Sequence, residues 1–328
     1  MVNIIFITAL LIFVFSIALS FIINKIVINI TAKKQYAQIE RKYLYFHDNK
    51  KNIPILGGIS IILTIIISYI IYSLIFSFDY LVLISILSLF LFGLVGFFDD
   101  LNKIRKKNSD GISPLIRLGL EAIISILIIV LLGFNFDVLR NLNINGLKFG
   151  LFTFPLFIFL FIGGSNASNF VDGIDGLDAG LTLIALLPNL FIAFKNEFYI
   201  YSFFLISVIG SLVGFLFFNS HPAKIFLGDL GSLSLGNIII ISSLILNNII
   251  MIPIIMFLFI IETLSIIVQV LYYKKTKRRI FLMAPLHHHF EMKNIEESKI
   301  VSTFYLVGFL LSFIAILIGE LYGNINIG

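Results

Sequence analysis

The chain has 328 residues, 59% of them hydrophobic and only 12% charged, and its mean hydropathy is +1.07. That balance excludes a soluble fold, in which about a quarter of residues carry charge. The net charge of +5 is spread over separate loops rather than gathered into a nucleic-acid footprint, and the absence of cysteine excludes disulfide and thiolate chemistry.

Apolar runs of roughly 20 residues are long enough to cross a bilayer as helices, so the expected class is an all-α polytopic integral membrane protein. The first run, Ile4 to Ile23, is too long for a signal-peptide core and no small-residue cleavage site follows it, so it reads as a transmembrane helix. In chain order about ten spans are expected, near 3–30, 55–77, 80–98, 115–134, 151–165, 179–194, 199–218, 233–246, 249–272 and 301–322, the fifth and eighth of them short. Loops alternate in character. Residues 31–54, 99–114, 166–178, 219–232 and 273–302 form a long, charged set; residues 78–79, 135–150, 195–198 and 247–248 form a nearly uncharged one. Of the 23 Lys and Arg, only Arg140, Lys148 and Lys195 fall in the second set. The positive-inside rule therefore puts the charged loops in the cytoplasm and both termini outside it. No linker or low-complexity segment interrupts the pattern, so residues 1–328 read as a single domain, with Asn145 and Gly146 marking a small hairpin in the 135–150 loop.

Candidate chemical groups follow the same order and share the charged side. Asp99 and Asp100 close the third span in GLVGFFDDLNK. Two adjacent carboxylates at a membrane edge repel, and a lysine or a metal would relieve them; an isolated Asp-Asp pair reads equally well as a helix end marked by solvated acids. Lys103, Arg105, Lys106 and Lys107 come directly after, suited to an anionic ligand or to fixing topology. In NASNFVDGIDGLDAG, residues 166–180, a helix would set Asp172 and Asp175 about 60° apart and Asp178 about 120° from Asp172. Gly173 and Gly176 would let a phosphorylated ligand approach the backbone. A Gly- and Asp-rich turn is the bland reading, and the terminal Glu of a calcium loop is missing. NSHPAKIFLGDLGS, residues 219–232, sets Asp229 between glycines just ahead of the eighth span. Carboxylates from three loops, with phosphate oxygens, would suit a hard ion such as Mg²⁺. A glycine-bounded solvated acid and an intramembrane aspartyl protease are the competing readings, the second lacking a partner Asp within a span. Glu262, Ser265 and Gln269 form one polar stripe on the ninth span, which also holds Pro253; such stripes face a cavity or a partner helix. Last comes MAPLHHHFE, with three of the five histidines. If helical, His287, His288 and His289 point about 100° apart and cannot all bind one metal; they could donate to phosphate, move protons, or form a solvated turn. No phosphate loop of the GxxxxGK[ST] type supports ATP-driven transport.

Taken in order, GFFDD at 96–100, NASNFVDGIDGL at 166–177, NSHPAKIFLGDLGSLSLG at 219–236 and RRIFLMAPLHHHFE at 278–291 resemble the phospho-N-acetylmuramoyl-pentapeptide transferases of the polyprenyl-phosphate N-acetylhexosamine-1-phosphate transferase superfamily. The resemblance spans nearly the whole chain. It implies Mg²⁺-dependent transfer of phospho-MurNAc-pentapeptide from UDP-MurNAc-pentapeptide to undecaprenyl phosphate, giving lipid I and UMP at the bacterial cytoplasmic membrane, and it implies a homodimer. By the same resemblance Asp229 is the metal-binding aspartate, and Asp99 and Asp100 are an essential pair in which Asp99 positions or deprotonates the lipid phosphate. Lys50, Asn169, Asp172, Gly173, Ile174, Asp175, Asn219, Phe226 and Gln269 fall in or beside the nucleoside pocket. Lys103 is a basic active-site residue, and the three histidines lie near the diphosphate. The chain departs from the family at Asn52 to Gly58, where hydroxyls are missing, at Arg117 and Glu121, where a lysine and a glutamine are usual, and at Thr303, where an arginine is. A sibling transferase using UDP-GlcNAc is the alternative. A lipid or nucleotide-sugar transporter is a third reading, disfavoured because polarity gathers at one surface rather than at mid-membrane.

Overall fold

The computed structural model describes residues 2–33, 53–106, 111–133, 143–144, 147–148 and 150–322; Lys50, assigned above to the nucleoside pocket, lies outside them. The fold is helical: α1 (Val2–Lys33), α2 (Gly58–Ser73), α3 (Tyr80–Lys106), α4 (Pro114–Leu131), α5 (Thr153–Val171), α6 (Leu177–Lys195), α7 (Tyr199–Asn219), α8 (Gly228–Ile245), α9 (Ile252–Ile255), α10 (Phe257–Thr276), α11 (Leu286–Glu291) and α12 (Glu297–Tyr322). Among the described residues nine helices are long and apolar enough to span a membrane, and the 16-residue α2 is a shorter apolar helix. The polytopic all-helical class expected from hydropathy is therefore what the chain adopts. A two-residue antiparallel pair, β1 (Asn143–Ile144) with β2 (Leu147–Lys148), flanks Asn145 and Gly146, the expected turn, which lie outside the described residues.

Several span edges differ from the hydropathy reading, each in a way that matters for the site. The third span does not stop at Asp99. No breaker lies between Gly96 and Lys106, and Lys103, Arg105 and Lys106 occupy the last turn, where cations suit the exposed carbonyls, so α3 carries both aspartates inside its helical length. The fifth span runs on to Val171, and the eighth begins at Gly228, which puts Asp229 in the first turn of α8 rather than ahead of it. The ninth is divided at Met256 into α9 and α10, with Pro253 in the first turn of α9, where its missing N–H costs no hydrogen bond.

α8 is more deeply enclosed than any other described span, and α3, α5, α2 and α6 pack around it. Lipid tails are as apolar as leucine, so membrane helices gain little from burying oily surface against each other and rely on close backbone approach. Gly96 supplies such an approach: a Cβ there would overlap the backbone carbonyl of Asp229. That contact sets the C-terminal third of α3 directly on the start of α8. On the outer face, Phe6, Leu10 and Leu11 of α1 and Leu306, Leu310 and Phe313 of α12 are exposed, as a lipid-facing surface requires.

Candidate active site

The polar residues gather where α3 and α5 end and α4, α6 and α8 begin. Asp99 and Lys103 lie one turn apart on α3, so they share a face. Lys103 Nζ is 2.7 Å from Asp99 Oδ2 and 2.8 Å from Asp229 Oδ2, so one ammonium joins carboxylates from two helices. The two carboxylates themselves come within hydrogen-bonding reach of each other. Asp99 Oδ1 also accepts the Ile112 N–H at 2.7 Å.

Asp100 does a different job. Its Oδ2 accepts the N–H of Leu230 at 3.2 Å, beneath Gly228, fastening α3 to the start of α8 from inside the bundle. The adjacent pair in sequence thus divides into one carboxylate that faces the cationic cluster and one that anchors backbone.

The cluster continues through two residues that the sequence reading noted only as departures. Arg117, one turn before Glu121 on α4, donates from Nη1 to Asp229 Oδ2 (3.3 Å), from Nε to Glu121 Oε1 (3.1 Å) and from Nη2 to Asn166 and Asn169 (3.2 Å each). Glu121 is fully buried, and its second oxygen accepts from Asn166 Nδ2 at 2.6 Å. Asn169 Nδ2 completes the shell of Asp229 with a 2.9 Å bond to Oδ1 and a 2.8 Å bond to Ser232 Oγ. Asn169 therefore belongs to the acidic centre itself. Arg117, Glu121, Asn166 and Ser232 were not singled out as site residues; the spacing of Arg117 and Glu121 at i and i+4 at the mouth of an apolar span was the available signal.

The 172–176 stretch is a turn rather than a continued helix. Asp172 follows the last residue of α5, Gly176 takes φ +79°, and Asp178 sits in the first turn of α6, buried and accepting from Ser168 Oγ at 2.7 Å. Burial pushes the Asp172 carboxyl up to about 7, and the negative charges of Asp229 and Asp175 push in the same direction. Asp175 Oδ2 accepts the Ala223 N–H at 3.0 Å and lies 3.1 Å from His221 Nδ1, while its own N–H donates to Glu297 at 2.6 Å. The ligand-type atoms of Asp175, His221 and Glu297 all lie within 4.8 Å of one another, tying this turn to the start of α12. Ile174 is buried in the core. Asn219 Nδ2 donates to the Ile225 carbonyl at 2.9 Å, and the Phe226 backbone pairs with Pro54 and Gly57, so these residues shape the segment that leads into Asp229.

The histidines are helical in α11 and separate as their spacing requires. His287 is fully buried, and a Cβ on Gly173 would overlap its Nε2, so its ring lies directly against the aspartate turn. His288 Nδ1 pairs with Glu291 at 2.6 Å. His289 Nδ1 accepts the Leu282 N–H at 3.1 Å, the role of a neutral imidazole, and burial followed by the charge of Lys293 pushes its pKa down. Gln269 contacts the chain's own backbone, accepting from Ile280 and Phe281 N–H and donating to the Phe281 carbonyl, each at 3.0 Å.

Asp99 and Asp229 offer hard oxygen atoms from two rigid helices and already share one cation, the lysine ammonium. This donor set fits a hard divalent ion, with Asp229 and Asp99 as the residues that would hold it.

Residues 80–247 match the family model described as glycosyl transferase family 4. The chain is similar to the phospho-N-acetylmuramoyl-pentapeptide-transferase of Halalkalibacterium halodurans, with 36% identity covering 94% of this chain and 96% of the relative. The proteins of the same name from Bacillus subtilis (strain 168) and Buchnera aphidicola subsp. Baizongia pistaciae are 38% and 37% identical, over 83% and 92% of this chain and 85% and 95% of theirs.

Proposed function

The chain belongs to the phospho-N-acetylmuramoyl-pentapeptide-transferase family, and from that premise we propose that it moves phospho-MurNAc-pentapeptide from UDP-MurNAc-pentapeptide to undecaprenyl phosphate, releasing UMP and forming lipid I. The observation that carries this reading is the shared cation between Asp99 and Asp229 at the ends of two apolar helices. An acceptor dissolved in the bilayer and a donor dissolved in the cytosol can meet only at the membrane surface, and there the cytoplasmic face of a bacterial inner membrane is the place we assign.

An oxygen of the acceptor phosphate forms a bond to the β-phosphorus of the donor, and the bond from that phosphorus to the bridging oxygen breaks, its electrons leaving with UMP. Phosphoryl transfer of this kind is accelerated chiefly by positioning and by neutralising charge. Mg²⁺ held by Asp229 and Asp99 would offset the repulsion between two anionic substrates. Lys103 and Arg117 supply fixed positive charge beside the same point, the second prevented from turning away by Glu121 and the two asparagines. Asp99, the member of the pair that meets Lys103, is assigned to orienting the lipid phosphate. The 172–176 turn with the start of α6 and the 219–227 segment would hold the uridine end, and the whole chain acts as one domain.

Purified protein in detergent is expected to release UMP when given undecaprenyl phosphate, Mg²⁺ and UDP-MurNAc-pentapeptide, and to leave UDP-GlcNAc intact. Turnover of UDP-GlcNAc alone would move the assignment to the sibling transferases; UMP release from neither donor would remove it.

A further inference from the structure

The polar stripe on α10 has an occupant. Glu262 is fully buried, and its carboxylate accepts the backbone N–H groups of Leu286 (2.5 Å) and His287 (3.1 Å). His287 Nδ1 stands 3.5 Å from the same carboxylate. Neither ring nitrogen of His287 has a hydrogen-bond partner among the described residues, although the ring is entirely buried and its Nε2 lies against Gly173. A buried imidazole nitrogen without a hydrogen-bond partner is costly and calls for one, a water or a ligand group. A buried carboxylate in an apolar span is costlier still, and this one is compensated almost wholly by the segment that carries the histidine.

We propose that Glu262 is a positioning residue for this reaction: it fixes the backbone at 286–287 so that the His287 ring is aimed across Gly173 at the donor, with Gln269 pinning the incoming segment at 280–281. Glu262 itself touches no substrate. The proposal rests on the transferase reading for what His287 meets, but the clamp exists independently of it. Glycine at 173 is part of the arrangement, because any side chain there would occupy the path of the ring.

Two measurements on the whole 328-residue chain separate the parts. Hydrogen–deuterium exchange of the 283–292 region should rise at least about tenfold in Glu262→Gln, which keeps the shape but can offer only one acceptor oxygen, while exchange in α3 and α8 stays unchanged. In a double-mutant cycle on UMP release, Glu262→Gln should lower kcat about tenfold or more with KM for the donor nearly unchanged, and should cost nothing further in a His287→Ala background. Unchanged exchange overturns the clamp. Multiplicative losses in the double variant overturn action through His287. If wild-type protein releases no UMP, the transferase reading fails and the exchange result still decides the clamp.

Discussion

Asp229→Asn is expected to lower kcat by about a thousandfold while leaving the protein folded. Asparagine has nearly the same shape, so the close fit of α8 against Gly96 survives. What changes is charge. The carboxylate that receives Lys103, Arg117 and Asn169 becomes neutral, and one of its two polar atoms becomes a donor facing other donors. Lys103 keeps Asp99 and Arg117 keeps Glu121, so neither cation is stranded and folding is spared. Reaction rates together with the elution profile in detergent check both halves of the expectation. Retention of more than a tenth of wild-type turnover would remove Asp229 from its proposed role as metal ligand.

Arg117→Met is expected to damage both activity and stability. It leaves Glu121 as a fully buried carboxylate with Asn166 as its remaining side-chain partner, and breaking a buried ion pair from one side typically costs about 3–5 kcal/mol. Changing both partners at once should behave differently. Arg117→Met combined with Glu121→Met removes two buried charges together, so the thermal midpoint should return close to the wild-type value, while turnover stays at least about a hundredfold down because the positive charge beside Asp229 is still missing. A double variant that is no more stable than the single one would show that Arg117 and Glu121 are not the compensating pair that their 3.1 Å bond indicates.

Hydropathy was enough to read the helical class and most of the spans, because a membrane leaves the backbone few other options. It misplaced the ends at the site for one reason. Charged and glycine-rich stretches such as Asp99 to Lys106 and Gly228 to Ser232 look like loops, yet a helix leaving the hydrocarbon can carry charge without losing its hydrogen bonds. Asp229 stood out through its resemblance to the family motif, and the angular separation of the three histidines followed from helical geometry alone. The division of labour between Asp99 and Asp100 was not legible, since it depends on which one meets α8, a contact between residues more than a hundred positions apart. Glu262 and Gln269 were seen as one polar face, but the segment that fills that face could not be named before the chain was folded.

The proposed transfer requires that the residues assigned to the donor and the acceptor open to the cytosol. The chain has no cysteine, so single cysteines report sidedness without background. Lys224, Lys293 and Lys195 are all exposed, the first two near the site and the third at the far end of α6. With a thiol reagent that cannot cross membranes, Lys195→Cys should be modified in intact bacterial cells, and Lys224→Cys and Lys293→Cys only in inverted vesicles. Modification of Lys224→Cys or Lys293→Cys from outside intact cells would place the site on the wrong side of the membrane for the proposed transfer.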